Sequence, residues 1–173
     1  MADIAAARDR LETAADKLEI QEVLMRYCRG LDRADIAVLR SVYHEDAWSD
    51  HGPYDCPAHE FCDYVLELLD TLEICRHDIT NTIIELDGDT AQSEAYFLAI
   101  QRERGSGYDD YMAGRYLDRF ERRGGVWRIA HRRVVLDWSR KVAYSRDNAT
   151  VYDPIFPQGR RDELDPLYQP AGD

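Results

Sequence analysis

From residue 3 to residue 31 the apolar positions Leu11, Ala14, Leu18, Ile20, Val23, Leu24, Tyr27 and Cys28 recur at steps of three and four, the period of an amphipathic helix. Gly30 and the "LDRAD" that follows are expected to end it. A second short helix fits "DIAVLRSVY", with Asp35 as its cap and Ile36, Leu39 and Val42 on one side. In "AWSDHGPYDCP" Trp48 suits a short strand, and Gly52 and Pro53 make a turn. "AHEFCDYVLELLDTLEI" returns to helical spacing, which makes three helices in the first 74 residues.

After residue 76 the pattern changes. The stretch from His77 to Trp138 is rich in Ile, Val, Thr, Tyr, Phe and Trp and is cut by turn signals at Asp87-Gly88, Gly105 to Gly107 and Gly124-Gly125. It reads as four strands in antiparallel hairpins, over 77–86, 90–104, 109–122 and 126–138. Helices followed by a curved meander predict an α+β fold whose helices cover one face of the sheet. The chain from Lys141 onward carries four of the six prolines and no sustained period. One domain over 1–140 is therefore expected, with 141–173 as an extension packed on it or on a neighbouring subunit.

Composition narrows the function. The 34 acidic against 22 basic side chains leave a net charge of −12, which repels phosphate backbones, so nucleic acid is not an expected partner. No apolar run is long enough for a membrane span, and the N-terminus lacks a signal-peptide pattern, so a cytoplasmic protein with no membrane partner is expected. Cys28, Cys56, Cys62 and Cys75 show no C-x-x-C spacing and are expected to be reduced and structural. His44, His51, His59 and Glu60 match none of the usual zinc spacings, so no metal site is expected.

Four phrases, "IQEVLMRYCRGLDRAD", "YHEDAWSDHGPY", "HDITNTIIELDGDTAQSEAYF" and "GRYLDRFERRGGVWRIAHRRVVLDW", spanning roughly residues 18 to 139, resemble the SnoaL-like branch of the nuclear transport factor 2-like superfamily. The resemblance implies a cone: three N-terminal helices packed on a strongly curved, mostly antiparallel sheet that encloses an apolar pocket. In the branch with scytalone dehydratase, bile acid dehydratase and hexachlorocyclohexane dehydrochlorinase, the working parts are an aspartate just beyond the first helix and a histidine opening the first long strand. Asp32 and His77 occupy the matching positions, and Tyr27 matches a pocket tyrosine. Asp32 would orient His77 as a general base, and Tyr27 would donate a hydrogen bond to a leaving or developing oxyanion, with no metal or organic cofactor. Leu136 stands where the bile acid enzyme has an arginine.

Each residue also has a structural reading. Asp32 could simply stop one helix or cap the next, His77 could be a solvated strand end, and Tyr27 could fill the core. His51 is a candidate substrate contact or a turn histidine, and Asn81, four residues beyond His77, a candidate hydrogen-bond donor or a strand-edge residue. Arg115 could bind an anionic group or pair with Glu94 across the sheet. Alternation puts His131 and Arg133 on the face of Trp127 and Ile129, toward the pocket opening. Trp48 and Phe97 would favour an apolar, aromatic ligand.

The expected function is a cofactor-independent lyase, either a dehydratase or a formaldehyde-releasing enzyme. Its substrate would be a hydroxylated aromatic small molecule, consistent with a role in aromatic compound catabolism. Two alternatives stay open: an isomerase or cyclase of the ketosteroid-isomerase type, and a non-catalytic assembly subunit like the small subunit of ring-hydroxylating dioxygenases. A homo-oligomer, dimer or trimer, fits all three.

Overall fold

The computed structural model describes residues 2–145 and 155–169. Of the extension expected over 141–173, residues 146–154 and 170–173 lie outside the described residues. Among the described residues there are three α-helices, α1 (Ala2–Asp32), α2 (Ile36–Ser41) and α3 (Ala58–Thr71). The strands are β1 (Tyr43–Asp50), β2 (Asp55–Pro57), β3 (Leu72–Asp87), β4 (Thr90–Glu103), β5 (Tyr108–Arg123) and β6 (Val126–Ala143). They form one open six-stranded sheet in the order β2-β1-β6-β5-β4-β3. Every pairing is antiparallel except β1 with β6. This is the α+β fold that the sequence pattern predicts, in the cone form that the family resemblance implies.

The buried face of α1 begins at Ile20 and continues through Leu24, Tyr27, Cys28 and Leu31. Leu11 and Leu18 belong to the same sequence period but are exposed, because the helix runs past the edge of the sheet before it meets the core. Asp16 marks that edge: its carboxylate accepts from Arg122 Nη1 at 2.7 Å and from Trp127 Nε1 at 2.9 Å. Gly30 does not stop the helix, which runs on to Asp32. A Cβ at Gly30 would sit 3.0 Å from Leu39, so the glycine is there to let α2 lie close against α1. Asp35 caps α2 by accepting from the Val38 N–H at 3.0 Å. On α3 the buried residues Ala58, Phe61, Cys62, Val65 and Leu69 follow the helical period, and the helix gives way to strand at Leu72, two residues before its apolar run ends.

Four bulges interrupt the pairing of the long strands, one of them at the start of β3 between Leu72 and Ile74, and the other three change which face the following residues present. Between Ile79 and Thr82, β3 carries one residue more than β4 opposite it. β6 gains one residue between Ile129 and His131 and another between Leu136 and Trp138. Opposite the second, a Cβ at Gly114 would collide with the Val135 carbonyl and come within 2.9 Å of the Phe97 ring, so the strands cross here only because a glycine is present. All four cysteines are free thiols, and Cys28, Cys62 and Cys75 are buried.

Candidate active site

A cavity of about 280 Å³ opens between the concave face of the sheet and helices α1 and α3. Tyr27 and Leu31 reach it from α1, and Phe61, Tyr64, Val65, Leu68 and Leu69 from α3. The sheet contributes His77, Phe97, Ala99, Gln101, Met112, Tyr116 and Val134, and the β1–β2 corner adds His51 and Tyr54. Among the described residues, no Asp, Glu, Lys or Arg lines this cavity. Aromatic rings pair along its wall: Phe97 stacks on Tyr116 at 4.5 Å and Tyr54 on Tyr64 at 3.8 Å.

Asp32 is the last residue of α1 and His77 lies six residues into β3. The fold brings them together. His77 Nδ1 and Asp32 Oδ1 are 2.8 Å apart, and the His77 backbone N–H donates to Asp32 Oδ2 at 3.1 Å. Two donors fix one carboxylate, and the carboxylate fixes the ring: Nδ1 carries the proton shared with Asp32, leaving Nε2 as the basic nitrogen on the cavity side. The His77 side chain is 7% exposed and that of Asp32 16%, so the pair is shielded from bulk water, where its attraction is strongest. Cys75 Sγ lies 3.8 Å from His77 Nδ1, and burial, reinforced by Asp32, pushes its thiol up to about 12. The ligand atoms of Asp32, Cys75 and His77 lie within 4.8 Å of one another. Asp32 and His77 meet here as a hydrogen-bonded pair, with the Cys75 thiol beside them.

Tyr27 is buried between Tyr43 and Tyr116 in edge-on contact with both. Its hydroxyl shares a hydrogen bond of 3.0 Å with His51 Nε2, while His51 Nδ1 is 3.1 Å from Ser49 Oγ. The His51 ring stacks on Phe61 at 3.8 Å. Burial, with Arg132 nearby, lowers His51 to about 3, so this imidazole is neutral at any ordinary pH. Burial likewise holds the Tyr27 phenol well above its usual range, with Tyr43 and Tyr116 adding to the effect and Arg132 opposing it.

Sequence reasoning missed Arg132. It is fully buried and bidentate to Asp118, at 2.8 Å and 2.7 Å, and its guanidinium lies 3.9 Å from the Tyr27 ring centroid and 4.1 Å from that of Tyr116. Its Nη1 has no hydrogen-bond partner among the described residues. A cation thus sits directly behind the cavity's phenol wall, where negative charge developing on Tyr27 would be stabilised.

Five other sequence candidates lie away from the cavity. The extra residue of β6 after Ile129 reverses the alternation, so Arg132 and Val134 turn inward while His131 and Arg133 face outward. Arg133 pairs with Asp50 at 2.9 Å on the surface. The bulge after Ile79 does the same to Asn81, which is exposed. Arg115 is held by Glu94 at 3.0 Å and Asp137 at 3.2 Å on the outer face, and Trp48 is 42% exposed with its indole N–H on Asp55. Of the ligand-contact candidates, His51 and Phe97 reach the cavity.

Residues 12–133 match the SnoaL-like domain, and the chain belongs to that family. It is similar to the uncharacterized protein Rv2910c of Mycobacterium tuberculosis H37Rv, 28% identical over 122 residues that cover 68% of this chain and 83% of that one. Its fold matches hexachlorocyclohexane dehydrochlorinase LinA-type3 from Novosphingobium barchaimii LL02, with a TM-score of 0.71 at 20% identity over 78% of this chain and 94% of that one. It also matches a scytalone dehydratase-like protein from Novosphingobium aromaticivorans DSM 12444, with a TM-score of 0.70 at 19% identity over 80% and 97% of the two chains. No helix among the described residues is long and apolar enough to cross a membrane.

Proposed function

We propose that this protein is a cofactor-independent lyase, of the dehydratase or formaldehyde-releasing type, acting on a neutral, hydroxylated aromatic molecule of one or two rings. The observation that carries this reading is the 2.8 Å contact of Asp32 with His77 Nδ1 at the wall of an aromatic cavity. A cavity of about 280 Å³ stands at the small end of ligand pockets. Its lack of charged lining residues penalises an ionised ligand.

In the dehydration, His77 Nε2 takes a proton from the carbon next to the one bearing the hydroxyl. The electron pair of that C–H bond becomes the new double bond, and the C–O bond breaks. The departing hydroxide takes a proton from the Tyr27 hydroxyl and leaves as water, and the imidazolium proton afterwards restores Tyr27. Asp32 stabilises the imidazolium without being protonated itself, and Arg132 favours the transient phenolate. In the formaldehyde-releasing variant, His77 takes the hydroxyl proton of a hydroxymethyl group. The carbon–carbon bond breaks, formaldehyde departs, and the electron pair stays on the adjacent carbon to be protonated or to expel a neighbouring hydroxyl. Both routes need one base and one proton donor in the same cavity, and the fact that His77 and Tyr27 both line it supports this reading.

The test is to incubate the purified protein with a panel of hydroxylated aromatic compounds, without added cofactor, and to follow product mass. A product lighter by one water or one formaldehyde, formed by wild type and not by His77→Ala, is expected. A product of unchanged mass would move the reading to isomerisation, and no turnover across the panel would move it to ligand binding.

A further inference from the structure

The family domain ends at residue 133, yet the chain beyond it returns to the end of the molecule that carries Asp32. On the segment 155–169, Arg161 donates from Nη1 to the carbonyls of Leu69 at 2.8 Å and Leu72 at 2.9 Å, and from Nε to the carbonyl of Asp32 at 3.3 Å. Those three oxygens belong to the last turn of α3, the first residue of β3 and the last residue of α1. Carbonyls at helix C-termini lack partners within the helix and favour a cation, and here one guanidinium serves two helix ends and the start of a strand.

A second tether lies beside the first. Arg33 donates from Nη1 to Asp165 Oδ2 at 3.1 Å and to the Arg160 carbonyl at 3.0 Å. Asp165 is buried and also accepts from the N–H groups of Arg160 at 2.6 Å and Leu167 at 3.0 Å. The segment thereby closes the far side of a polar cavity of about 440 Å³ behind Asp32 and Cys75.

The position of this grip matters because of where Asp32 sits. Terminal residues of a helix fray, and Asp32 is followed within two residues by Ala34 in the left-handed region, at φ 52°. Nevertheless its carboxylate must meet two donors on another element, the N–H and the Nδ1–H of His77. A misplacement of about 1 Å in such a pair can cost on the order of 100-fold in rate.

We propose that Arg161 is a positioning residue: the C-terminal segment straps the end of α1 to the α3–β3 junction and so holds the Asp32 carboxylate on His77. The proposal rests on reading Asp32 and His77 as the working pair.

The His77 N–H points at Asp32 Oδ2, so its exchange with solvent deuterium reports whether the carboxylate is in place, with no substrate required. In full-length Arg161→Met, exchange at His77 should rise by about tenfold or more while amides of the β5–β6 ladder keep their rates. Arg161→Lys, which retains a cation with fewer fixed donors, should fall between wild type and the methionine variant. Unchanged exchange at His77 in Arg161→Met would overturn the proposal. So would a loss of protection spread equally over β5 and β6, the mark of general destabilisation. If the methionine variant does not fold, wild-type exchange at His77 in Arg161→Lys overturns it equally. Failure of the strap leaves the lyase reading intact, and a wild type inactive on the aromatic panel leaves the exchange result unaffected.

Discussion

Three side chains divide the chemistry of the cavity according to how burial treats them. His77 keeps a carboxylate partner, His51 has only neutral partners, and Tyr27 has a histidine in front and a guanidinium behind. His51 therefore carries a measurable cost in acid. Its ring titrates at about 3 when folded, because burial disfavours the imidazolium, and near 6.5 when unfolded. Between those values the unfolded chain binds a proton that the folded chain refuses. Stability is thus full above pH 6.5 and falls as the pH drops toward 3, by up to about 1.4 kcal/mol per unit. Replacing His51 with Gln should flatten that slope, as read from denaturant midpoints at pH 7 and pH 4.5. A variant that loses stability with acid as steeply as wild type would contradict the neutral assignment. Asp32 and His77 were legible through the family resemblance, which pointed to an aspartate past the first helix and a histidine on the first long strand, although that strand begins five residues earlier than the sequence suggests. Arg132 was not, although Asp118 gave a signal: an aspartate alternating inward with Tyr116 and Phe120 needs a buried cation beside it.

At the scale of elements, the apolar periods located the three α-helices and the four long strands of the described residues, since period 3.6 and period 2 follow directly from backbone geometry. Bulges leave no such trace. A single extra residue in β6 exchanged Arg132 for His131 and Arg133, and one in β3 turned Asn81 out of the cavity. Helix ends were also blurred where tertiary contact overrides local signals, as at Gly30, whose role is to admit Leu39. The bend of the β5–β6 pair makes its own prediction. Gly114→Ala places a methyl group against the Val135 carbonyl and the Phe97 ring, and should destabilise the protein by about 1–3 kcal/mol, as overpacking does. Equilibrium denaturation measures it, and because Phe97 lines the cavity, ligand binding should weaken along with stability. A neutral substitution would show that the two strands can part there without cost.

At the scale of the molecule, the sheet and helices bring His77 and Tyr27 to one aromatic cavity, and the segment past the family domain bonds through Arg161 to the end of α1 that carries Asp32. The central claim is that Asp32 and His77 act as one unit. Once a turned-over aromatic substrate is in hand, the direct measurement is kcat for wild type, His77→Ala, Asp32→Asn and the double variant. Each single change should lower kcat by about 10² to 10⁴, and the double variant should be little slower than the worse single one, as residues acting together are strongly non-additive. Losses that multiply in the double variant, or turnover that survives His77→Ala, would contradict it.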